Sequence, residues 1–592
     1  MSDFVAAAKD VINGSKFNPA MPMLTDLQFK ALSRPEKRRY FRTYIANKHW
    51  RLNNLYKVEN ETGKVVTFKM RDAQRELFES AHTFEIILKA RQLGFSTFID
   101  IYALDSCLFT KNYKAGIIAQ DLESAGAIFQ TKVVFPYNNL PTYITSRKRV
   151  IQRNGGNNGG GLKFSNGSSI RVATSFRSGT LQFLHISELG RICAGAPQKA
   201  REIQTGSMPT VHEGSKLFIE STAEGAAGLF FDLCKKAQER IMSGIPLGAK
   251  DFNFRFIPWF THPKYHSPVP AAGLKLSKYF RDYFQAVEEA TGVVLRDTQK
   301  QWYMETYEKY EEHTKQEYPS TPQEAFLTSG RRVFSPISCM RAEGRTEKPL
   351  LVYDVNPATG KMVNVRDEVN REGQSENMQK GLQGYLLIWE LPSSDKDYAL
   401  GADVAEGLEH GDRSSIDVLD ENGVQVAHWF GHLDTDQFAK VIAAVGKMYK
   451  GADGRAAYAA PERNNHGHAV LNVLRDIYPS GRIYEEEHHD KEDEDEGTGK
   501  LGWLTTRKSK PIIISNLIEQ LRNNTDGIRW IGTVSELNTY VFDSKGSMNA
   551  IAGGFDDQVM SYAIALEMVV RMPRTIKKLA SRTKRSSDWR TK

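Results

Sequence analysis

The sequence predicts an α/β protein made of two successive α/β halves, the first built on a parallel sheet. Three observations carry that expectation. Apolar runs of strand length alternate with stretches of helical periodicity from residue 84 to about residue 330. Several of these runs end abruptly on a charged or small polar residue, as at Lys89, Glu188 and Ser221. A second set of apolar runs, ending at Asp403 and Glu462, begins after residue 396.

Composition sets the limits. A chain of 592 residues has room for two to four domains, each with its own core. With 25% charged and 40% hydrophobic residues the profile is that of soluble globular protein. No apolar run reaches transmembrane length, and Met1 to Asp10 lacks the basic-then-apolar plan of a signal peptide, so a cytoplasmic protein is expected. Cys107, Cys193, Cys234 and Cys339 are far apart and form no metal-type pair, which leaves reduced thiols as the expectation. The net charge of +8 permits contact with nucleic acid. Basic residues concentrate in the tail 571–592 and acidic ones in the run 485–496 around His488 and His489.

Taken in order, residues 1–60 read as a helical appendage with basic and aromatic side chains (Arg38, Arg39, Tyr40, Phe41, Arg42, Tyr44). Gln74 precedes the first core strand, where its amide is able to read an adenine edge. Phe84 to Leu88 is a buried strand, Lys89 to Gly94 a tight turn, and Ser96-Thr97 opens a helix with apolar residues at Phe98, Ile99, Ile101, Tyr102 and Leu104. Strand, turn, and helix beginning with a hydroxyl is the plan of a phosphate-binding loop, in which backbone N–H groups face phosphate and the Ser or Thr oxygen binds Mg²⁺. Phe95 stands where the usual pattern has Lys, so the phosphate-facing cation is Lys89 or Arg91.

Ala115 to Gln120 is the next strand, and Leu162 to Thr174, with Asn166-Gly167 at its centre, is a hairpin. Leu181 to Ser187 is a strand running into Glu188. In ATPases an acid pair occupies this place, one member positioning Mg²⁺ and the other polarising the attacking water. Ser187 fills the first slot and Glu188 the second, which makes Glu188 the candidate base. Lys216 to Glu220 is another strand, followed by the turn Ser221 to Gly225 at the same sheet edge, where α/β sheets bind ligands.

The region from residue 331 to 395 is turn-rich and reads as a linker subdomain. Beyond it, Tyr398 to Ala402 is a strand carrying Asp403 at its end, followed by Gly407, Gly411 and Asp412. Ser415–Leu419 and Val424–Trp429 are expected to be antiparallel neighbours, and Ala456–Ala460 is a fourth strand leading to Glu462. Asp556-Asp557 opens a late helix. Acids in this order give the layout of ribonuclease H-type nucleases, where clustered carboxylates hold two Mg²⁺ or Mn²⁺ ions that activate water and stabilise the leaving oxygen of a phosphodiester.

Together these pieces resemble one family, the large subunit of tailed-phage terminases. The most specific are Lys-Ala-Arg-Gln-Leu-Gly-Phe-Ser-Thr (89–97), Leu-His-Ile-Ser-Glu-Leu-Gly (184–190), Ser-Thr-Ala-Glu-Gly (221–225), Tyr-Pro-Ser-Thr-Pro-Gln-Glu-Ala-Phe (318–326) and the Asp403, Glu462, Asp556-Asp557 series. The resemblance covers roughly residues 60 to 570. It implies a P-loop ATPase of the ASCE type followed by a ribonuclease H-like nuclease, the boundaries being a helical appendage 1–60, an ATPase domain 61–330, a linker subdomain 331–395, a nuclease domain 396–570 and a basic tail 571–592.

The same resemblance implies ATP as cofactor with Mg²⁺, and Mn²⁺ as an alternative at the nuclease site. It favours Lys89 over Arg91, places Gln74 near the adenine, and makes Gly94 part of the loop with Ser96 or Thr97 as ligand to metal and phosphate. Glu188 becomes the catalytic carboxylate and Ser221 to Gly225 the coupling element, while Asp403, Glu462 and Asp557 hold the nuclease metals with Asp556 as accessory. The implied partners are double-stranded DNA, a portal protein, a terminase small subunit and further copies of the chain in a ring on the procapsid, where a neighbour supplies an arginine such as Arg147 or Arg149. The implied location is the host cytoplasm and, transiently, the procapsid portal, outside the mature virion. A helicase-like DNA translocase without nuclease activity is the alternative, and it leaves the ordered acids of the second half unexplained. A non-enzymatic capsid or scaffold protein is disfavoured by two separate sets of strand-end acids.

Overall fold

The computed structural model describes residues 17–156, 159–177, 179–226, 228–326, 332–365, 384–405, 413–451, 453–464, 466–486, 500–543, 546–551 and 554–574. The acidic run beyond residue 486, Gly407, Gly411, Asp412 and the basic tail beyond residue 574 lie outside these residues. The chain falls into two compact units, one spanning Met1–Ile241 and Pro246–Ser329, the other Met242–Ile245 and Gly330–Lys592. No helix among the described residues is long and apolar enough to cross a membrane.

A small hairpin, β1 (Lys57–Glu59) and β2 (Val65–Thr67), precedes the main sheet of the first unit. That sheet has eight strands: β3 (Phe84–Lys89), β4 (Lys114–Ile118), β5 (Val150–Gly156), β6 (Gly159–Phe164), β7 (Ser169–Ala173), β8 (Leu181–Ser187), β9 (Val211–Ser221) and β10 (Phe252–Ile257). Their spatial order is β10-β3-β9-β8-β4-β7-β6-β5. The first six run parallel and the β6–β7 hairpin turns the edge antiparallel. Numbering β3, β4, β8, β9 and β10 from one to five gives the order 5-1-4-3-2, an ASCE-type core in which β9 separates the loop strand β3 from the acid-ending strand β8. Every residue of β3 is buried, as a parallel strand covered on both faces requires.

The helix Phe95–Phe109 packs across this sheet with eleven of its residues buried, Asp100 and Asp105 among them. Each acid has a partner. Asp100 sits 2.7 Å from His185 Nδ1, and His185 Nε2 lies 3.4 Å from Glu220, all three without solvent exposure. Asp105 takes a two-pronged ion pair from Arg51 (2.7 and 2.8 Å) and a hydrogen bond from Tyr56. Residues 17–60 therefore pack onto the rest of the first unit, with Tyr40, Tyr44 and Trp50 buried and Tyr40 against Tyr143.

The second unit carries a seven-stranded sheet: β11 (Leu351–Val355), β12 (Met362–Asn364), β13 (Tyr385–Ile388), β14 (Tyr398–Asp403), β15 (Ser414–Asp420), β16 (Gln425–Gly431) and β17 (Tyr458–Pro461), in the order β12-β11-β13-β16-β15-β14-β17. Segment 331–395, expected to be a linker, supplies three of these strands. The run β14–β15–β16 is an antiparallel meander, β17 lies parallel to β14, and Ile483 forms a parallel bridge beyond β17. This is the ribonuclease H-like order. Alternate residues feed opposite faces: Tyr385, Leu387 and Ala399 pack toward the helices Ser509–Asn523, Ile531–Asn538 and Asp557–Arg571. Leu386, Ile388 and Leu400 pack toward Thr435–Met448 and Gly467–Ile477.

One close approach fixes the late helix against the sheet. A Cβ on Gly401 would lie 2.3 Å from both the Ala565 nitrogen and the Ser561 oxygen, so only glycine lets Asp557–Arg571 rest on β14. Gly401→Ala is expected to destabilise the second unit by about 3 kcal/mol or more in urea unfolding, because backbone has no room to yield.

The His185 network predicts a pH dependence. Burial alone would lower the imidazole, yet the Asp100 and Glu220 carboxylates outweigh it and raise His185 to about 9. A group raised in the folded state stabilises fully below its unfolded value near 6.5 and loses that contribution as pH climbs through its folded value. The first unit should therefore lose on the order of 3 kcal/mol between about pH 6.5 and 9.5 in chemical denaturation, and His185→Asn should flatten that slope.

Candidate functional site

The parallel register brings the ends of β3, β8 and β9 to one rim. Leu88 stands opposite Ser221 and Ser187 opposite Glu220, so Lys89, Glu188 and Glu220 meet. Lys89 Nζ lies 3.2 Å from Glu188 Oε1 and 3.1 Å from Glu220 Oε2. Lys89 is only 4% exposed, and although burial opposes its charge, the two carboxylates hold it above the usual lysine range. Glu220 is wholly buried, and burial would raise it, but Lys89 and His185 keep it well below the usual carboxylate range. A buried cation shared by two anions is stable only when such pairing is complete.

The loop reaches this cluster through a left-handed turn. Gln92 and Gly94 have φ of +58° and +75°, and Gly94 starts the helix Phe95–Phe109. Ser96 Oγ donates to Glu220 Oε1 at 2.7 Å, and Ser187 Oγ donates to the same oxygen at 2.8 Å. Phe95 is buried, so the position that usually carries a lysine feeds the core. Glu188 itself has φ +56°, a conformation rare for glutamate that aims its carboxylate back across the rim. Its Oε2 accepts from Ser221 Oγ (3.3 Å) and the Thr222 N–H (3.4 Å), which ties the acid to the turn after β9.

Lys89, Gly94, Ser96, Ser187, Glu188 and Thr222 line a cleft of about 530 Å³ with Arg91, Thr97, Lys132 and Arg191 also among its walls, and Glu220 lies behind them without exposed surface. Arg91 is exposed and pairs with Glu317 at 3.4 Å, while its backbone N–H donates to the Glu317 carbonyl and its own carbonyl accepts from Tyr265 OH. Gln74 braces the loop instead of lining the cleft. It is 2% exposed, and its amide donates to the Gly94 carbonyl at 3.0 Å, with Arg71 donating to Leu93 at 3.0 Å. The Tyr318–Phe326 motif folds as a buried turn in which Glu324 accepts from Tyr283 OH and the Ser320 N–H. Sequence reasoning passed over Glu220, although a charge ending an apolar strand beside two other strand-end charges was a usable signal. It also passed over Arg71, Lys132 and Arg191.

In the second unit, Asp403 ends β14, Glu462 follows β17, and Asp556 and Asp557 open the helix Asp557–Arg571. Partial burial and the neighbouring Glu462 carboxylate push Asp403 well above the usual carboxylate range, with Asp557 and Asp556 adding to it. The acids are turned toward nearby donors: Asn464 to Glu462 at 2.8 Å, the Arg413 N–H to Asp557 at 3.1 Å, and Lys510 to Asp556 at 3.4 Å. Among the described residues no group of three or more His, Cys, Asp or Glu closes into a metal-holding cage. In kind, however, crowded carboxylates that resist shared ionisation are the donor set a hard divalent cation takes, so the residues fit such an ion chemically.

Glu536 supports this cluster from below. Its carboxylate accepts from the Gln558 and Val559 N–H groups at the start of the helix and from the Gln558 side chain, replacing the cap that Asp556 does not provide. Gln558 in turn meets His428 and Trp530, and His428 meets Asp417.

No family model and no curated protein matches this chain. Solved structures do. The large terminase nuclease of the thermophilic phage G20c is 21% identical over 31% of this chain and 87% of its own, with a TM-score of 0.23. The ATPase domain of the Thermus phage P74-26 large terminase is 17% identical over 43% of this chain and 94% of its own, with a TM-score of 0.27. The large terminase of another thermophilic bacteriophage, solved in complex with ADP, is 11% identical over 85% of this chain and all of its own, with a TM-score of 0.25. The solved chains to which this one is similar are thus phage large-terminase ATPase and nuclease domains.

Proposed function

We propose that this chain is the large subunit of a tailed-phage terminase, a motor that hydrolyses ATP to move double-stranded DNA into a procapsid and cuts concatemeric DNA to make the end. The observation that carries the reading is the convergence of Lys89, Ser96 and Glu188 on one sheet rim beside an open cleft, on a 5-1-4-3-2 parallel core.

In this reading the triphosphate lies along the start of Phe95–Phe109, where unpaired N–H groups of the first turn face it. Lys89 leaves its carboxylate partners for phosphate oxygens. Glu188 takes the proton of the attacking water, and its contacts to Ser221 and Thr222 carry the change in charge into the 221–225 turn. Gln74 acts by holding the loop, and Ser96 or Thr97 would hold Mg²⁺, which on binding neutralises phosphate charge. In the second unit Asp403, Glu462 and Asp557 would hold two Mg²⁺ or Mn²⁺ ions, with Asp556 as accessory. Such ions supply activated water and stabilise the leaving oxygen. DNA is gripped through its phosphates by basic surface, a portal protein and a small subunit are the partners, and a ring of copies lets a neighbour's arginine reach the triphosphate. The tail beyond Pro573 docks the portal.

Purified protein should cut plasmid DNA with Mg²⁺ or Mn²⁺ in the absence of ATP, and Asp403→Ala should abolish cutting while leaving ATP hydrolysis intact. Glu188→Gln should lower ATP hydrolysis by about 10²–10⁴-fold and leave cutting intact. Absence of cutting by folded wild type in both metals would shift the assignment to a DNA translocase without nuclease activity.

A further inference from the structure

The strand that should carry a metal-positioning acid ends in Ser187 instead, directly before Glu188. A hydroxyl there cannot replace the missing negative charge. Yet the hydroxyl that opens the loop helix is not left without a carboxylate. Ser96 Oγ donates to Glu220 Oε1 at 2.7 Å, and Ser187 Oγ donates to that same oxygen at 2.8 Å. Glu220 comes from the neighbouring strand β9, which lies between β3 and β8 and so ends between Lys89 and Glu188. Its carboxylate has no exposed surface of its own, and its second oxygen faces Lys89 at 3.1 Å.

We infer that Glu220 supplies, from β9, the metal-positioning carboxylate that β8 lacks, so that Mg²⁺ accompanying the nucleotide is held by the Ser96–Glu220 pair. The inference rests on the ATP-site reading above and names a residue outside the strand-end pair that reading uses. Ser187 then serves as a positioning residue, fixing the Glu220 rotamer through its hydrogen bond. The arrangement also accounts for Lys89: one carboxylate oxygen meets the lysine and the other meets the two hydroxyls and His185 Nε2, so one buried anion organises both the phosphate-facing cation and the loop hydroxyl. Lys89 and His185 balance its charge and the two hydroxyls fill lone pairs of one oxygen, so the contacts that keep Glu220 ionised also fix it against the loop hydroxyl Ser96.

The test is the affinity of the full chain for a fluorescent ATP analogue, measured with Mg²⁺ and again in EDTA. Wild type should bind more tightly with Mg²⁺. Glu220→Gln should keep or gain affinity in EDTA, since Lys89 is freed, while the Mg²⁺-to-EDTA ratio falls about tenfold or more. Adding Ser187→Asp to Glu220→Gln, which returns an acid to β8, should restore the ratio. Because Glu220 neutralises Lys89 and His185, Glu220→Asp is measured beside it, keeping the charge but drawing the carboxylate back by one methylene. It should lower the ratio about threefold or more. An undiminished ratio in either folded variant overturns the inference and leaves the ATP-site reading standing. Wild type that binds no nucleotide in either condition overturns both.

Discussion

The first unit depends on one buried anion. Glu220 sits where three parallel strands end, and Lys89, His185, Ser96 and Ser187 all turn toward it. An unpaired carboxylate there would cost several kcal/mol, a large part of the stability of a folded domain, so each of those partners helps to keep it ionised. Rotamers that look like details of a catalytic rim are, in the protein without nucleotide, conditions for the sheet to close. In the proposed ATP-site reading, the energy that keeps Lys89 among carboxylates is also what an incoming phosphate would have to exceed.

The second unit solves a related problem differently. Its acids crowd at the end of β14 and the start of Asp557–Arg571, and the helix start is held by Glu536 through backbone N–H groups. A layer of fully paired polar groups (Asp417, His428, Gln558) runs beneath them. Gly401 lets the helix that Asp557 opens lie directly on the strand that Asp403 ends. Asp403 and Asp557 stand on a strand end and a helix start, while donors reach Glu462, Asp556 and Asp557.

How much of this was legible in the sequence follows from locality. Lys89, Gly94, Ser96 and Glu188 were readable because each depends on a strand ending or a helix beginning within a few residues. The acid order of the second half was readable for the same reason, as was the β6–β7 hairpin at Asn166-Gly167. Glu220 carried the same local signal, a charge ending an apolar strand, but that it stands between Lys89 and Glu188 follows only from β9 lying between β3 and β8, a fact of sheet order. Gln74 shows the converse: its position before the loop was visible, but that its amide is consumed by the Gly94 carbonyl depends on tertiary packing. Segment 331–395 looked like a linker because its strands are three to five residues long, and β11 and β13 enter the sheet only through partners more than thirty residues away.

The two acids on the inner face of Phe95–Phe109 have a mechanical consequence. Asp100 is tied to the sheet through His185, and Asp105, little more than one turn later, is tied to Arg51 and Tyr56. A rod fastened on both flanks cannot roll about its own axis without breaking a buried ion pair. Any displacement at Gly94 would therefore have to pass on as sliding or tilting of the whole rod, with the Arg51 and Tyr56 contacts drawn along. The guanidinium–carboxylate pair is in that sense a pivot that joins the loop helix to the N-terminal segment.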